Sequence, residues 1–213
     1  MYTVVCFGDT NTWGYNNDDG ERLPYDRRWT GILAKLLGSD FRIVEEGLPG
    51  RSTVSDPVEE GKNAREHIVP CLESHEPIDL FILMLGQPDL KRRFSLTAYD
   101  IAMGVECLVE KIVSSGAGVG HSAPKLLIIS PVQVGEIAGT SMEKWFDAKG
   151  TAERSSALPE LYRAVAKKYG AAFMEASSVA GTSEDGIHMA NDSHEPFAAA
   201  IADKVRDILG VIV

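Results

Sequence analysis

Near one end of the sequence an apolar run, Val4-Val5-Cys6-Phe7, leads into Gly8-Asp9-Thr10, and near the other lies Asp185-Gly186-Ile187-His188. An aspartate three residues before a histidine on one loop suits a pair in which a carboxylate orients an imidazole. A hydroxyl just past the first strand could supply the nucleophile that this imidazole deprotonates. Thr10, His188 and Asp185 thus outline a nucleophile–base–orienter triad split across the chain, with threonine where such sites usually carry serine. Taken singly, each piece has a plainer reading. Gly8-Asp9-Thr10 and Asp185-Gly186 are ordinary turn sequences, and a lone histidine is more often an ordinary surface or core residue. Their joint occurrence carries the catalytic reading.

Such a triad needs a scaffold that brings both ends of the chain to one edge. Tyr2–Phe7, Phe41–Val44, Asp79–Leu85, Lys125–Ser130 and, more weakly, Ala171–Met174 read as strands. Two of them are nearly continuous apolar stretches, as a parallel sheet covered on both faces requires. Helical spacing recurs at Trp29, Ile32, Leu33, Leu36 and Leu37 before Gly38, and at Ile101, Val105, Leu108, Val109 and Ile112. Residues 151–169 and 194–209 add two more helices, with Pro196 acceptable in a first turn. Residues 57–75 form a weaker helical segment. The alternation predicts one domain over residues 1–213, a three-layer α/β/α sandwich around a mostly parallel five-stranded sheet.

In such a sheet the chemistry belongs on the loops after the carboxyl ends of the strands. The glycine-rich and polar blocks fall there: Gly8-Asp9-Thr10-Asn11, Gly47-Leu48-Pro49-Gly50, Gly86-Gln87-Pro88-Asp89 and the Asp185–His188 loop. In this order the blocks resemble those of the SGNH (GDSL-type) hydrolases, a flavodoxin-like fold. Gly-Asp-Thr-Asn-Thr-Trp-Gly at 8–14, Arg28-Trp29-Thr30-Gly31, Glu45-Glu46-Gly47-Leu48 and Ala117-Gly118-Val119-Gly120 are similar to the arylesterase-like branch. The resemblance spans nearly the whole chain.

It implies Thr10 as nucleophile, His188 as base and Asp185 as its orienting carboxylate. It also implies an oxyanion hole from the backbone N–H groups of Thr10 and Gly50. The family's third donor, an asparagine side chain, falls on Pro88, which has neither a side-chain donor nor a backbone N–H. The neighbouring Gln87 carries a carboxamide and is the tentative substitute. Asp9, Trp13, Pro88 and Asp89 are the expected substrate-binding positions. Trp13 and Tyr15 either wall an acyl or aryl pocket or pack the loop of residues 11–26 onto the domain. The long connection at 131–150, with Met142, Trp145 and Phe146, reads as a lid or an oligomer contact, and the resemblance implies a homo-oligomer.

A formal net charge of −10 and a pI near 5.0 argue against nucleic acid or an anionic membrane as partner. No apolar run reaches the roughly 18 residues needed to span a bilayer. The first strand starts within about two residues of Met1, too early for a signal peptide, so a cytoplasmic protein is expected. Cys6 and Cys107 read as small buried hydrophobes. His67 and His75 could share a helix face, but no carboxylate or cysteine is spaced to complete a metal site, so no metal is expected. Asn191, Asp192, His194 and Glu195 read as caps of the last helix, and Lys91-Arg92-Arg93 as a solvated face.

The leading expectation is a cofactor-independent hydrolase of short acyl or aryl esters, with acyl transfer to alcohols or peroxide as a variant. The rival is a non-catalytic binding or scaffold protein on the same fold, favoured by Thr10 and Pro88. A flavodoxin-like nucleotide binder is poorly supported, because the Gly8 loop lacks further glycines for phosphate.

Overall fold

The computed structural model describes residues 1–56 and 60–211. The apolar runs form one sheet of five strands: β1 (Tyr2–Gly8), β2 (Phe41–Gly47), β3 (Leu80–Met84), β4 (Lys125–Ser130) and β5 (Ala172–Glu175). Their order is β2-β1-β3-β4-β5, and all four pairings are parallel. Helices α1 (Thr10–Trp13), α2 (Trp29–Leu37), α3 (Ala64–His75), α4 (Ala98–Val113), α5 (Ala148–Tyr169) and α6 (His194–Leu209) complete the frame.

Successive side chains of a strand point to opposite faces, and here both faces are covered. Val5, Phe7, Phe81, Leu83 and Ile128 pack with Ile68, Leu72, Ile101, Val105, Leu158 and Tyr162 of α3, α4 and α5. Val4, Cys6, Leu80, Ile82 and Leu127 face the other way, onto Trp29 and Leu33 of α2 and Phe197 and Ile201 of α6. Two cores on either side of one sheet make the predicted three-layer sandwich and account for the nearly unbroken apolar strands.

From β1 the chain crosses to β2 on one side and returns to β3 on the other. That reversal opens a crevice at the carboxyl ends of β1 and β3, where Gly8 lies opposite Met84.

Several boundaries differ from expectation for local reasons. β2 runs on to Gly47 because its two glutamates find partners: Glu45 takes Arg28 and Thr30, and Glu46 takes His75. α3 begins at Ala64, where the Asn63 side chain accepts the Glu66 N–H; the expected helix opened at 57, and residues 57–59 lie outside the described residues. α5 starts earlier than 151 because the Asp147 carboxylate caps it by accepting from Gly150 N at 2.7 Å.

The anticipated caps of α6 do other work. Asn191 Oδ1 accepts from Asn17, and buried His194 uses Nδ1 to accept the Trp29 N–H at 3.1 Å. Burial pushes the His194 imidazole down to about 4, which keeps it neutral for that role. Cys6 is fully buried as expected, whereas Cys107 is partly exposed. Among the described residues no helix is long and apolar enough to cross a membrane.

Candidate active site

At the end of β1 the chain turns at once into α1. A Cβ on Gly8 would collide with the Thr12 side chain and stand 2.8 Å from the Met84 carbonyl oxygen, so only glycine fits. Asp9 caps α1 by accepting the Asn11 N–H at 3.0 Å, which sets Thr10 on the first turn above the crevice. From the loop after β2, Gly50 at φ +76 directs its N–H to Thr10 Oγ1 at 3.0 Å.

His188 arrives on the loop before α6. His188 Nδ1 lies 2.6 Å from Asp185 Oδ2, and Asp185 Oδ1 accepts the N–H groups of Ile187 and His188 at 2.8 and 2.9 Å. Burial pushes the Asp185 carboxyl upward, but the bond from the His188 ring, its attraction and the two backbone donors outweigh this and hold it down at about 2. The carboxylate is therefore ionised and fixes Nδ1 as the protonated ring nitrogen, leaving Nε2 as acceptor. Tyr15 stacks on the imidazole with centroids 4.2 Å apart.

A buried amide chain ties the two halves together. Met189 N–H donates to Asn11 Oδ1 at 2.9 Å, which leaves Asn11 Nδ2 to donate to Gln87 Oε1 at 2.6 Å, and Gln87 Nε2 then donates to the Ile187 carbonyl. The backbone groups at its two ends fix both amide orientations. Asn11 is a site-building residue that the sequence reading passed over as part of a turn. Gln87 is 3 % exposed with one Nε2 hydrogen already used, so donation to an oxyanion would fall to the other.

Thr10, His188, Gly50, Gln87 and Pro88 line one cleft of about 390 Å³. Trp13, Tyr15, Trp145 and Phe146 line it too, as do Lys62 and Lys91. Trp13 and Tyr15 line the cleft, and Trp13 also helps brace the loop: Arg22 lies over its ring at 5.5 Å and donates to its carbonyl. The 131–147 connection forms neither helix nor strand, and it supplies Met142, Trp145 and Phe146 to the cleft.

Asp9 borders the cleft, and burial raises its carboxyl to about 7. Asp89 does not reach it. That carboxylate is fully buried and accepts the Thr53 N–H at 3.0 Å and its hydroxyl at 2.6 Å, so it fastens two loops together instead of meeting substrate. Burial likewise raises it, to about 6. Among the described residues no hydrogen bond joins Thr10 to His188; the hydroxyl oxygen rests on Gly50 instead.

The basic run at 91–93 is not a solvated face. Arg93 pairs with Glu60 at 2.7 Å, Arg92 donates to the carbonyls of Glu143 and Phe146, and Lys91 enters the cleft. His67 is exposed on Gly61, but His75 meets Glu46 and Cys71, with ligand-type atoms of the three within 4.8 Å of one another. The sequence reading missed that cluster because Cys71 and His75 lie on α3 whereas Glu46 comes from β2. Burial and Glu46 push the Cys71 thiol up to about 12, and the Arg51 guanidinium lies near both, which disfavours a cation there.

The chain is similar to several solved esterases. A carbohydrate acetylesterase from Sinorhizobium meliloti matches at TM-score 0.91 and 36% identity, over 98% of this chain and 100% of that one. The inhibitor-bound aryl esterase from M. smegmatis matches at TM-score 0.91 and 37% identity with the same coverage. A second Sinorhizobium meliloti protein, a carbohydrate acetylesterase family member, matches at 0.91 and 33% over 99% and 100%. No curated protein matches the chain. The model of the GDSL-like lipase/acylhydrolase family matches residues 6–203. With the crevice, the Asp185–His188 pair and this match over nearly its whole length, the chain belongs to the GDSL-like lipase/acylhydrolase family.

Proposed function

We propose that the protein hydrolyses short-chain acyl or aryl esters, with Thr10 as nucleophile, His188 as general base and Asp185 as orienting carboxylate. The observation that carries this reading is the Asp185–His188 pair at 2.6 Å, facing the same cleft as a hydroxyl held 3.0 Å from a backbone N–H. The acetylesterase and aryl esterase names of the similar structures agree with small acyl groups.

In this mechanism Thr10 Oγ1 turns from Gly50 toward His188 Nε2, which takes its proton as the oxygen attacks the ester carbonyl. The same turn frees the Gly50 N–H for the developing oxyanion. The Thr10 N–H, at the first helical position, has no carbonyl partner within α1 and serves as the second donor. His188 then protonates the leaving alcohol, and water resolves the acyl-threonine by the reverse proton path. An alcohol or peroxide in place of that water would give acyl transfer.

A second reading, a non-catalytic binding protein, is favoured by two observations. Thr10 makes no hydrogen bond to His188 among the described residues, and buried Pro88 offers no donor. Turnover of a short aryl acetate by the protein and its Thr10→Ala variant separates the two. Loss of turnover in the variant supports the enzyme; equal rates remove Thr10 as nucleophile.

A further inference from the structure

In a chain of net charge −10, the cleft contains two lysines that make no ion pair among the described residues. The Nζ atoms of Lys62 and Lys91 each lie 3.8 Å from the point where a Cβ on Gly50 would stand, so they lie within twice that distance of each other. Gly50 is the residue whose N–H touches Thr10 Oγ1. Both lysines are only partly exposed, and neither ammonium makes a hydrogen bond or ion pair among the described residues.

Two ammonium groups drawn together in a half-buried cleft repel each other and lose hydration. Lys91 shows both effects: its pKa is lowered first by burial and then by Arg93, with Lys62 adding to this against the pull of Glu60 and Asp9. The cleft carboxyl nearest in role, Asp9, is itself held protonated up to about 7, so it is a weak counter-charge. By contrast, the neighbouring Arg93 has Glu60, and Arg92 has two carbonyls. An anion entering between the two ammonium groups would offset their repulsion. Trp13, Trp145 and Phe146 also line the cleft, which suits an apolar or aromatic group in the same ester.

We propose that Lys62 and Lys91 form an anion subsite beside Gly50 that selects esters carrying a carboxylate near the scissile carbonyl, such as half-esters of short dicarboxylic acids. This rests on the esterase reading above. The reaction is unchanged: the acyl C–O bond breaks, a C–O bond to water oxygen forms, and the alcohol leaves with the proton that His188 returns.

The test uses the full chain and matched esters. The nitrophenyl half-ester of succinate is compared with nitrophenyl butyrate for a carboxylate on the acyl side. Acetoxybenzoate is compared with phenyl acetate for one on the alcohol side. For at least one pair, kcat/KM favours the charged ester about tenfold or more. Lys62→Gln and Lys91→Gln each lower that preference about fivefold, the double variant lowers it further, and the arginine variants keep it. Succinate binding by calorimetry is measured in parallel, because it needs no turnover. Succinate bound by the parent and lost in the double glutamine variant supports the subsite even if no ester is cleaved, a result that would sink only the esterase reading. Ester turnover with no charge preference and no succinate binding overturns the subsite. So does an equal loss on charged and neutral esters in the glutamine variants, which would place the lysines at the oxyanion or in folding.

Discussion

Thr10 Oγ1 accepts the Gly50 N–H at 3.0 Å, so the hydroxyl sits on the donor that the proposed oxyanion would need. The proposed mechanism requires it to leave Gly50 and face His188, and that rotation is about χ1. The threonine methyl stiffens this torsion, because two heavy atoms on Cβ restrict the staggered positions available. The side chain that must move is thus less free to move than a serine would be. At the same time Pro88 contributes no donor to the oxyanion that the rotation would create.

Two changes therefore address two separate deficits. Thr10→Ser is expected to raise kcat on a short aryl acetate by about tenfold to a hundredfold, the range that follows from recovering near-attack geometry. Adding Pro88→Asn supplies a side-chain donor and is expected to contribute a further factor of about a hundred, the usual worth of one oxyanion contact. If Thr10→Ser is no faster than the parent, the methyl is not what limits the reaction. A double variant that folds yet stays inert would remove the premise that these loops form an oxyanion hole.

The Asn11–Gln87 chain makes a second prediction. Asn11→Ala strands the Met189 N–H and the Gln87 carboxamide, both buried. Leaving such groups unsatisfied costs about 1–3 kcal/mol each, so a loss of about 2–6 kcal/mol in urea denaturation is expected. The chain ends on Ile187, next to the base, so kcat should fall by more than KM changes. A variant that loses stability with kcat intact would show that the chain braces the fold without positioning His188.

The ease of reading this site depended on the sequence separation of its parts. The strands were legible because an apolar run needs no knowledge of its neighbour, and Asp185–His188 because both partners sit on one loop. Thr10 and Gly50 were legible only as members of ordered blocks, and nothing in the blocks said that their side-chain and backbone atoms would bond. Asn11 to Met189 spans 178 residues, and one turn-forming asparagine looks like another until both loops are in place. Asp89 was misplaced for a related reason. It adjoins the cleft in sequence but turns to Thr53, a residue 36 positions away. Lys91 was lost inside a basic run whose three members have three different surroundings.

Part of the family-like pattern is structural. Glu45 takes two contacts from the Arg28 guanidinium at 2.5 and 2.7 Å and the Thr30 hydroxyl, which joins the Arg28–Gly31 and Glu45–Leu48 blocks. Burial raises the Glu45 carboxyl, but Arg28 and Thr30 outweigh this, and its pKa is lowered overall. Removing one partner of a partly buried ion pair leaves the other poorly compensated, at a cost of about 1–3 kcal/mol. Glu45→Ala is therefore expected to lose about that much stability, and Glu45→Gln less, since a carboxamide still accepts. Equal losses in the two variants, measured by denaturant midpoint, would show that charge contributes little there.

Asp9 gives a pH-dependent prediction. Burial raises its carboxyl from an ordinary 3.8 to about 7, against the Asn11 N–H and the attraction of His188 and Arg51. Between those two values the folded protein keeps a proton that the unfolded chain has released. Stability falls with pH wherever the folded state binds more protons, so this group erodes stability from about pH 4 to about pH 7 and adds nothing further above that. Asp9→Asn is neutral throughout and can still accept the Asn11 N–H. Its stability relative to the parent should be near zero at pH 4 and rise to a gain on the order of 2–4 kcal/mol at pH 8. Asp89 erodes stability over a similar window and His194 acts in the opposite direction; both are present in parent and variant, so the difference reports position 9 together with its repulsion from Asp89. Urea denaturation at each pH measures it. A difference that stays flat from pH 4 to 8 would mean that Asp9 is ionised in the fold, in which case the cleft carries a full negative charge against Lys91 and the anion subsite loses much of its field.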